Sequence, residues 1–138
     1  MIYLDTNVLL YATLTKVDTQ TQQDRAIEIL RELIDKENLL LSNLNLLEYS
    51  FVMKKAKEDS RKIESALELF SSFVRDEKDR FSNELMQFLN SDYAFKNSFD
   101  LYHIAFANSY KCKKLITFDK GFKKFYNICE VDIDIIEM

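Results

Sequence analysis

Short apolar runs alternating with long helix-patterned stretches constrain the architecture of this chain more than any other feature. Ile2–Leu4, Leu39–Leu41 and Leu115–Phe118 are such runs, too short for helices, and read as strands, while Val131–Ile136 alternates apolar with acidic residues and reads as a final strand. Ten residues or more separate each run from the next. Parallel neighbours need a crossover of about a dozen residues, whereas a hairpin closes in far fewer. The spacing therefore predicts an α/β fold, a three-layer sandwich with a central, mainly parallel sheet of four to five strands flanked by helices.

The intervening stretches carry helical patterning. Asn7–Leu14 reads as a helix opened by Thr6 or Asn7. Gln20–Glu37 places Ala26, Ile27, Leu30, Leu33 and Ile34 on one stripe, with Glu28, Arg31, Glu32 and Asp35 opposite. Ser42 or Asn43 caps a helix over Asn43–Glu58, and Asp59 or Ser60 caps its partner, whose inner face is Ile63, Ala66, Leu67, Phe70, Phe73 and Val74. Beyond a charged break at Asp76–Arg80, a short helix is expected over Ser82–Leu89, a polar loop over Ser91–Ser98, a helix over Phe99–Lys111 and a short basic helix over Lys120–Tyr126. With no repeat or linker, the 138 residues are expected to form a single domain, 1–138.

Composition removes whole classes of chemistry. A single glycine, Gly121, excludes a P-loop and a dinucleotide fingerprint, which need several residues without a Cβ around a phosphate. One histidine, His103, and two cysteines, Cys112 and Cys129, cannot complete a structural zinc site. A Ser-His-Asp scheme would have to run through His103, and no nucleophile elbow presents a serine. The N-terminus lacks a signal peptide's basic and apolar regions, and no apolar run approaches the roughly 20 residues that span a bilayer. A soluble, cytoplasmic protein without membrane contact is expected, its thiols reduced and Cys129 a small buried hydrophobe. The net charge of −4 is carried by Glu130, Asp132, Asp134 and Glu137, so the body is neutral with patches. Six lysines crowd Lys111–Lys124, and Lys54, Lys55, Lys57, Arg61 and Lys62 form a second basic run. Either is a solvated face or a polyanion contact.

In parallel sheets, sites form at the carboxyl ends of the strands. Asp5 and Asp119 end the first and third strands, Glu48 follows the second within its helix, and Asp100 is expected to open a helix whose dipole tolerates its charge. Each acid also has a local explanation as a cap, a turn residue or a surface charge. Acids in apolar surroundings need a partner, and Glu48 lies among Leu46, Leu47 and Phe51 with no cation evident nearby. A hard external cation, Mg²⁺ or Mn²⁺, would resolve all four at once. His103, three residues after Asp100 and on its helical face, is either a proton-transfer or phosphate-contacting group or a packed residue bonded to a neighbouring helix. Tyr49 and Tyr102 either stack on bases or are half-buried.

These motifs carry a resemblance. Ile-Tyr-Leu-Asp-Thr-Asn-Val-Leu-Leu at the start, Leu-Leu-Glu-Tyr-Ser at 46–50, Phe-Asp-Leu-Tyr-His-Ile-Ala-Phe-Ala at 99–107 and Leu-Ile-Thr-Phe-Asp-Lys-Gly-Phe at 115–122 resemble, in order and spacing, the acidic motifs of the PIN-domain family. The chain's length is similar to that of the single-domain VapC-type toxin ribonucleases. The resemblance implies a Mg²⁺- or Mn²⁺-dependent endoribonuclease, the toxin of a type II toxin–antitoxin pair, with RNA as substrate, a cognate antitoxin as partner and a homodimer as its assembly. It also implies Asp5, Glu48, Asp100 and Asp119 as the acidic, metal-holding quartet, with Asn7 and Thr117 supporting it. Asp5 and Asp119 are the expected direct metal contacts, Asp100 a direct or water-mediated one, and Glu48 the group that orients or deprotonates the attacking water. Thr117 would fix Asp119 or a metal-bound water. Lys120, Lys123 and Lys124 flank Asp119 and would guide a phosphate backbone. The competing readings are a PIN-fold nuclease outside a toxin pair and an inactive, protein-binding module. A phosphoryl transferase using Asp5 as nucleophile is disfavoured, because Asn7 stands where that chemistry wants a second acid.

Overall fold

The computed structural model of the protein describes residues 1–75 and 94–137. In it the apolar runs form a four-stranded, all-parallel sheet. The elements are β1 (Ile2–Leu4), α1 (Thr6–Thr13), α2 (Gln20–Asp35), β2 (Leu39–Leu40), α3 (Asn43–Lys55), α4 (Ser60–Ser71), α5 (Ala94–Ser109), β3 (Lys114–Thr117), a 3-10 helix (Lys120–Phe125) and β4 (Asp132–Ile135). The sheet order is β2-β1-β3-β4. Leu41 extends the second strand by a parallel bridge to Val74, which therefore lies past the end of α4.

Strand side chains alternate between two cores, as the period of two requires. Tyr3, Leu40, Leu115 and Ile133 pack with Leu101, Ile104 and Ala105 of α5 and with Phe122 and Phe125. Leu4, Leu39, Leu41 and Ile116 pack instead with α1, α2, α3 and α4 through Val8, Leu9, Ala26, Leu30, Tyr49, Met53 and Phe70. A strand covered on both faces reads as a continuous apolar run rather than as alternation, which is why β1, β2 and β3 are legible, whereas β4 alternates between exposed Asp132 and buried Ile133.

From β1 the chain steps outward to β2 and then crosses back over β1 to β3. The helix after β1 lies on one face and the 3-10 helix after β3 on the other, so the carboxyl ends of these adjacent strands are the switch point where parallel sheets place their sites. Asp5 N donates to Ile116 O at 2.9 Å, carrying the β1–β3 ladder to that edge.

Expected and observed elements differ in instructive places. The break at Asp76–Arg80, the helix at Ser82–Leu89 and the first three residues of the Ser91–Ser98 loop fall outside the described residues. The rest of that loop is helical, because α5 begins at Ala94. Asp100 therefore lies in the second turn of α5 and does not open it, and the dipole account of its charge does not hold. Cys129 is half-buried while Cys112 is the enclosed thiol, and burial pushes the Cys112 pKa up to about 11. Three helices end on a left-handed residue that is not glycine: Glu37, Lys57 and Lys111, with φ of 52°, 60° and 53°. Among the described residues no helix is long and apolar enough to cross a membrane.

Candidate active site

Asp5 leaves β1 and caps α1, its Oδ1 accepting from Thr6 N at 2.7 Å. Its Oδ2 accepts from the Thr117 hydroxyl at 2.7 Å, and the residue is only 8% exposed. Burial raises the Asp5 pKa; the His103 charge and the Thr117 bond pull it back without cancelling the rise. Thr117 is saturated, since its oxygen also accepts from Asn7 Nδ2 at 3.2 Å and from Asp119 N at 2.9 Å. Its hydroxyl proton thus goes to the Asp5 carboxylate, and it meets Asp119 only through the backbone. Asn7 completes the link between the strand ends by accepting from Phe118 N at 3.3 Å.

Asp119 caps the 3-10 helix in the same way that Asp5 caps α1, with Oδ1 accepting from Gly121 N at 2.8 Å, but it is exposed. A Cβ at position 121 would sit 3.0 Å from that oxygen, so any side chain there would make the Asp119 carboxylate shift. Asp100 projects from α5 and is half-buried. Its pKa is pushed up to about 6 by burial first and then by the charges of Asp5 and Asp119, against smaller opposition from His103 and Lys124. Among the lysines, Lys124 is the one whose charge reaches Asp100 in this way; Lys123 turns toward Glu137 at 3.6 Å, and Lys120 is exposed.

Glu48 differs from the surroundings expected for it. Its sequence neighbours Leu47 and Phe51 point outward, 66% and 67% exposed, so they do not enclose it. It has an internal cationic partner instead: His103 Nε2 lies 2.6 Å from Glu48 Oε1 and 3.8 Å from Asp5 Oδ1. Thr6 donates to the same Glu48 oxygen at 2.8 Å. Burial would raise the Glu48 pKa, but the His103 bond and charge and the Thr6 hydroxyl outweigh it and hold the carboxyl low. Burial would lower that of His103, yet Glu48, Asp5 and Asp100 hold the imidazole above its ordinary value. Tyr49 is fully buried, edge-on to Phe70 and bonded to Thr13 at 2.7 Å, so it offers no face to a base; Tyr102 is half-buried against His103.

Sequence reading missed the polar residues beneath the acids. Tyr3 OH meets Ser42 Oγ at 2.9 Å and His103 Nδ1. Asn45 donates to Thr6 Oγ1 at 2.9 Å and to Leu4 O at 3.1 Å, and with Ser42 it forms a capping box at the start of α3. The available signal was Asn45 itself, a polar residue between Leu44 and Leu46 one turn before Glu48 and on its face.

The donor chemistry suits a hard divalent cation: carboxylate oxygens near the strand ends, with the charges of Asp5 and Asp119 raising the Asp100 pKa. Among the described residues, however, no three His, Cys, Asp or Glu side chains are arranged to hold one metal ion together. The carboxylates are turned to protein donors, Asp5 to Thr6 and Thr117, Asp119 to Gly121 and Glu48 to His103. The fit is therefore one of charge and ligand type, not of a preassembled cage.

A sequence profile described as PIN domain matches residues 2–128. Solved structures similar to this chain include one chain of VapBC2 from Rickettsia felis bound to a DNA fragment from their promoter, with a TM-score of 0.71 and 21% identity over 99% of this chain and 100% of that one. Another is a chain of FitAcB from Neisseria gonorrhoeae, with a TM-score of 0.68 and 21% identity over 97% of this chain and 96% of that one. At these identities the likeness is one of fold. No curated protein matches by sequence.

Proposed function

This chain belongs to the PIN-domain family, whose members are generally nucleases, and from that premise we propose that it is a Mg²⁺- or Mn²⁺-dependent endoribonuclease, the toxin of a type II toxin–antitoxin pair. The observation that carries the reading is the environment of Asp100, a carboxyl pushed up to about 6 by burial and by Asp5 and Asp119 on the adjacent strand ends. Opposed acids at the mouth of a parallel sheet cost stability unless a cation is meant to join them.

Asp5, Asp100 and Asp119 would hold the ion. When bound, it would supply the positive charge that lets hydroxide approach an anionic phosphorus and an alkoxide leave. Glu48 would orient or deprotonate the attacking water, a role that suits a carboxylate kept ionised by His103 and Thr6. Asn7 and Thr117 would keep the two strand ends in register. Lys120, Lys123 and Lys124 would draw the RNA backbone toward the acids, Lys124 most directly. The kinship in fold to VapBC2 and FitAcB supports a protein partner, proposed here as a cognate antitoxin; the enzyme is further proposed to be homodimeric, cytoplasmic and a single domain.

The test is cleavage of RNA by wild type and Asp5→Asn, with Mg²⁺, with Mn²⁺ and with chelator. Cleavage that needs metal and disappears in a folded Asp5→Asn supports the nuclease. No cleavage by either protein under any condition would instead favour a protein-binding module. Reversing the charges of Lys120, Lys123 and Lys124 is expected to weaken RNA binding most at low salt; unchanged binding would remove them from the substrate path.

A further inference from the structure

We propose that Tyr3 and His103 are positioning residues for Glu48, a hydroxyl–imidazole prop that leaves one carboxylate oxygen fixed and the other free to hold water. The inference rests on the role given to Glu48 above.

Glu48 stands on α3 and is anchored through groups from three other places in the fold. His103 comes from α5, is 1% exposed and bonds Oε1 at 2.6 Å. Thr6, at the start of α1, donates to that same oxygen at 2.8 Å. Thr6 is held by Asn45, whose amide also donates to the backbone of β1 at Leu4 O. Behind His103 stands Tyr3, fully buried in the middle of β1, with its hydroxyl between His103 Nδ1 and Ser42 Oγ. Among the described residues Oε2 has no hydrogen-bond donor.

Two features separate this arrangement from an ordinary ion pair. Both donors converge on one oxygen, so the other keeps its lone pairs while the side chain loses the rotamer freedom a half-exposed glutamate normally has. In addition, a phenylalanine would fill the space of Tyr3 as well, whereas burying a hydroxyl is costly unless it is bonded. The described partners of that hydroxyl are His103 and Ser42. The strand interior thus carries an oxygen whose connections lead through the imidazole to Glu48.

His103 is the only histidine, so its ring nitrogens are read in a ¹⁵N spectrum without assignment. In the wild type both nitrogens are expected to carry protons that are slow to exchange with solvent, each giving an N–H signal. Tyr3→Phe should cost the Nδ1 proton that protection and lower kcat about 10-fold, with KM for RNA and Mn²⁺ affinity by calorimetry unchanged; His103→Leu should lower kcat about 100-fold, and His103→Gln should recover part of that loss. An Nδ1 proton in fast exchange in the wild type, or a folded Tyr3→Phe with wild-type kcat, would overturn the proposal. Should Tyr3→Phe fail to fold, the wild-type spectrum and the His103 pair decide, and equal kcat in His103→Leu and His103→Gln would count against it. Glu48→Gln separates the two levels: full activity there removes the role of Glu48 itself, whereas its loss alongside an unaffected Tyr3→Phe removes the prop alone.

Discussion

Asp5 and Asp119 are the same local device in different surroundings. Each follows an apolar strand, and each turns its carboxylate onto a backbone N–H to cap the helix that follows. Asp5 is enclosed, gripped by Thr117 and facing His103 across 3.8 Å, and burial raises its pKa. Asp119 is exposed, with Gly121 N as its hydrogen-bond donor. The pair teaches that capping is a property of a few consecutive residues, while the electrostatic character of an acid is a property of what the rest of the chain packs around it.

The strongest way to break the comparison is to neutralise each acid. Asp5→Asn and Asp119→Asn keep an oxygen for the cap, so both should remain folded by circular dichroism. RNA cleavage should fall more than about 100-fold in each, beyond the usual effect of an outer-shell change. Retained cleavage in Asp119→Asn alone would mean that the exposed strand end is only a cap.

Gly121→Ala tests the exposed end without touching the acid. The added methyl would stand 3.0 Å from Asp119 Oδ1 and must displace it. Cleavage should drop roughly 10-fold with an unchanged melting temperature; unaltered kinetics would show that the orientation of Asp119 is not critical.

Asp100 lies between the two and reports their charges. Its folded pKa of about 6 stands above the unfolded value of about 3.9, so the folded state binds this proton more tightly. Its ionisation therefore costs stability as pH rises from about 4 through about 6. Asp100→Asn should abolish that loss in urea melts and, after allowance for solvent screening of a half-buried group, stabilise the protein at pH 7 by about 1 kcal/mol while cleavage is lost. A wild type whose stability does not fall over that range more than the variant's would contradict the crowding of acids. Saturating Mg²⁺ should lower the Asp100 midpoint in a carboxylate NMR titration.

A control far from both strand ends is Glu37→Gly. Glu37 has φ of 52° at the end of α2, a conformation costly for a residue with a Cβ. The glycine should stabilise the fold by about 0.5 kcal/mol and leave cleavage unchanged; any change in cleavage would mean that stability gains outside the site reach the acids.

Much of this was legible in the chain. Strands β1, β2 and β3 were visible because both their faces are covered, β4 because it alternates, and the crossovers because the gaps were too long for hairpins. Helix α2 could be read from its stripe through Ala26, Leu30 and Leu33, although Ile29 is buried there and Ile27, placed on the stripe, is only half-buried, and Asp5 and Asp119 were marked by their positions at strand ends. The polar layer under the acids was hidden because its members, Tyr3, Thr6, Ser42, Asn45 and His103, come from separate elements and look singly like a strand aromatic, caps and a helical histidine. The surroundings of Glu48 were misread for a related reason: Leu47, next to it along α3, faces away from it as adjacent helical residues do, and Phe51, one turn on, is left exposed because no other element among the described residues packs over it to enclose the acid.

The sequence by itself determined the parallel sheet, its helical crossovers and the strand-end positions of Asp5 and Asp119, because side-chain period, run length and gap length are local quantities. Only the tertiary structure decided which acid is buried, that Glu48 is met by His103, that Thr117 serves Asp5, and that Asp100 feels both strand ends. Those outcomes depend on distances between residues far apart in the chain and on the solvent excluded around them, and neither is encoded within any one segment.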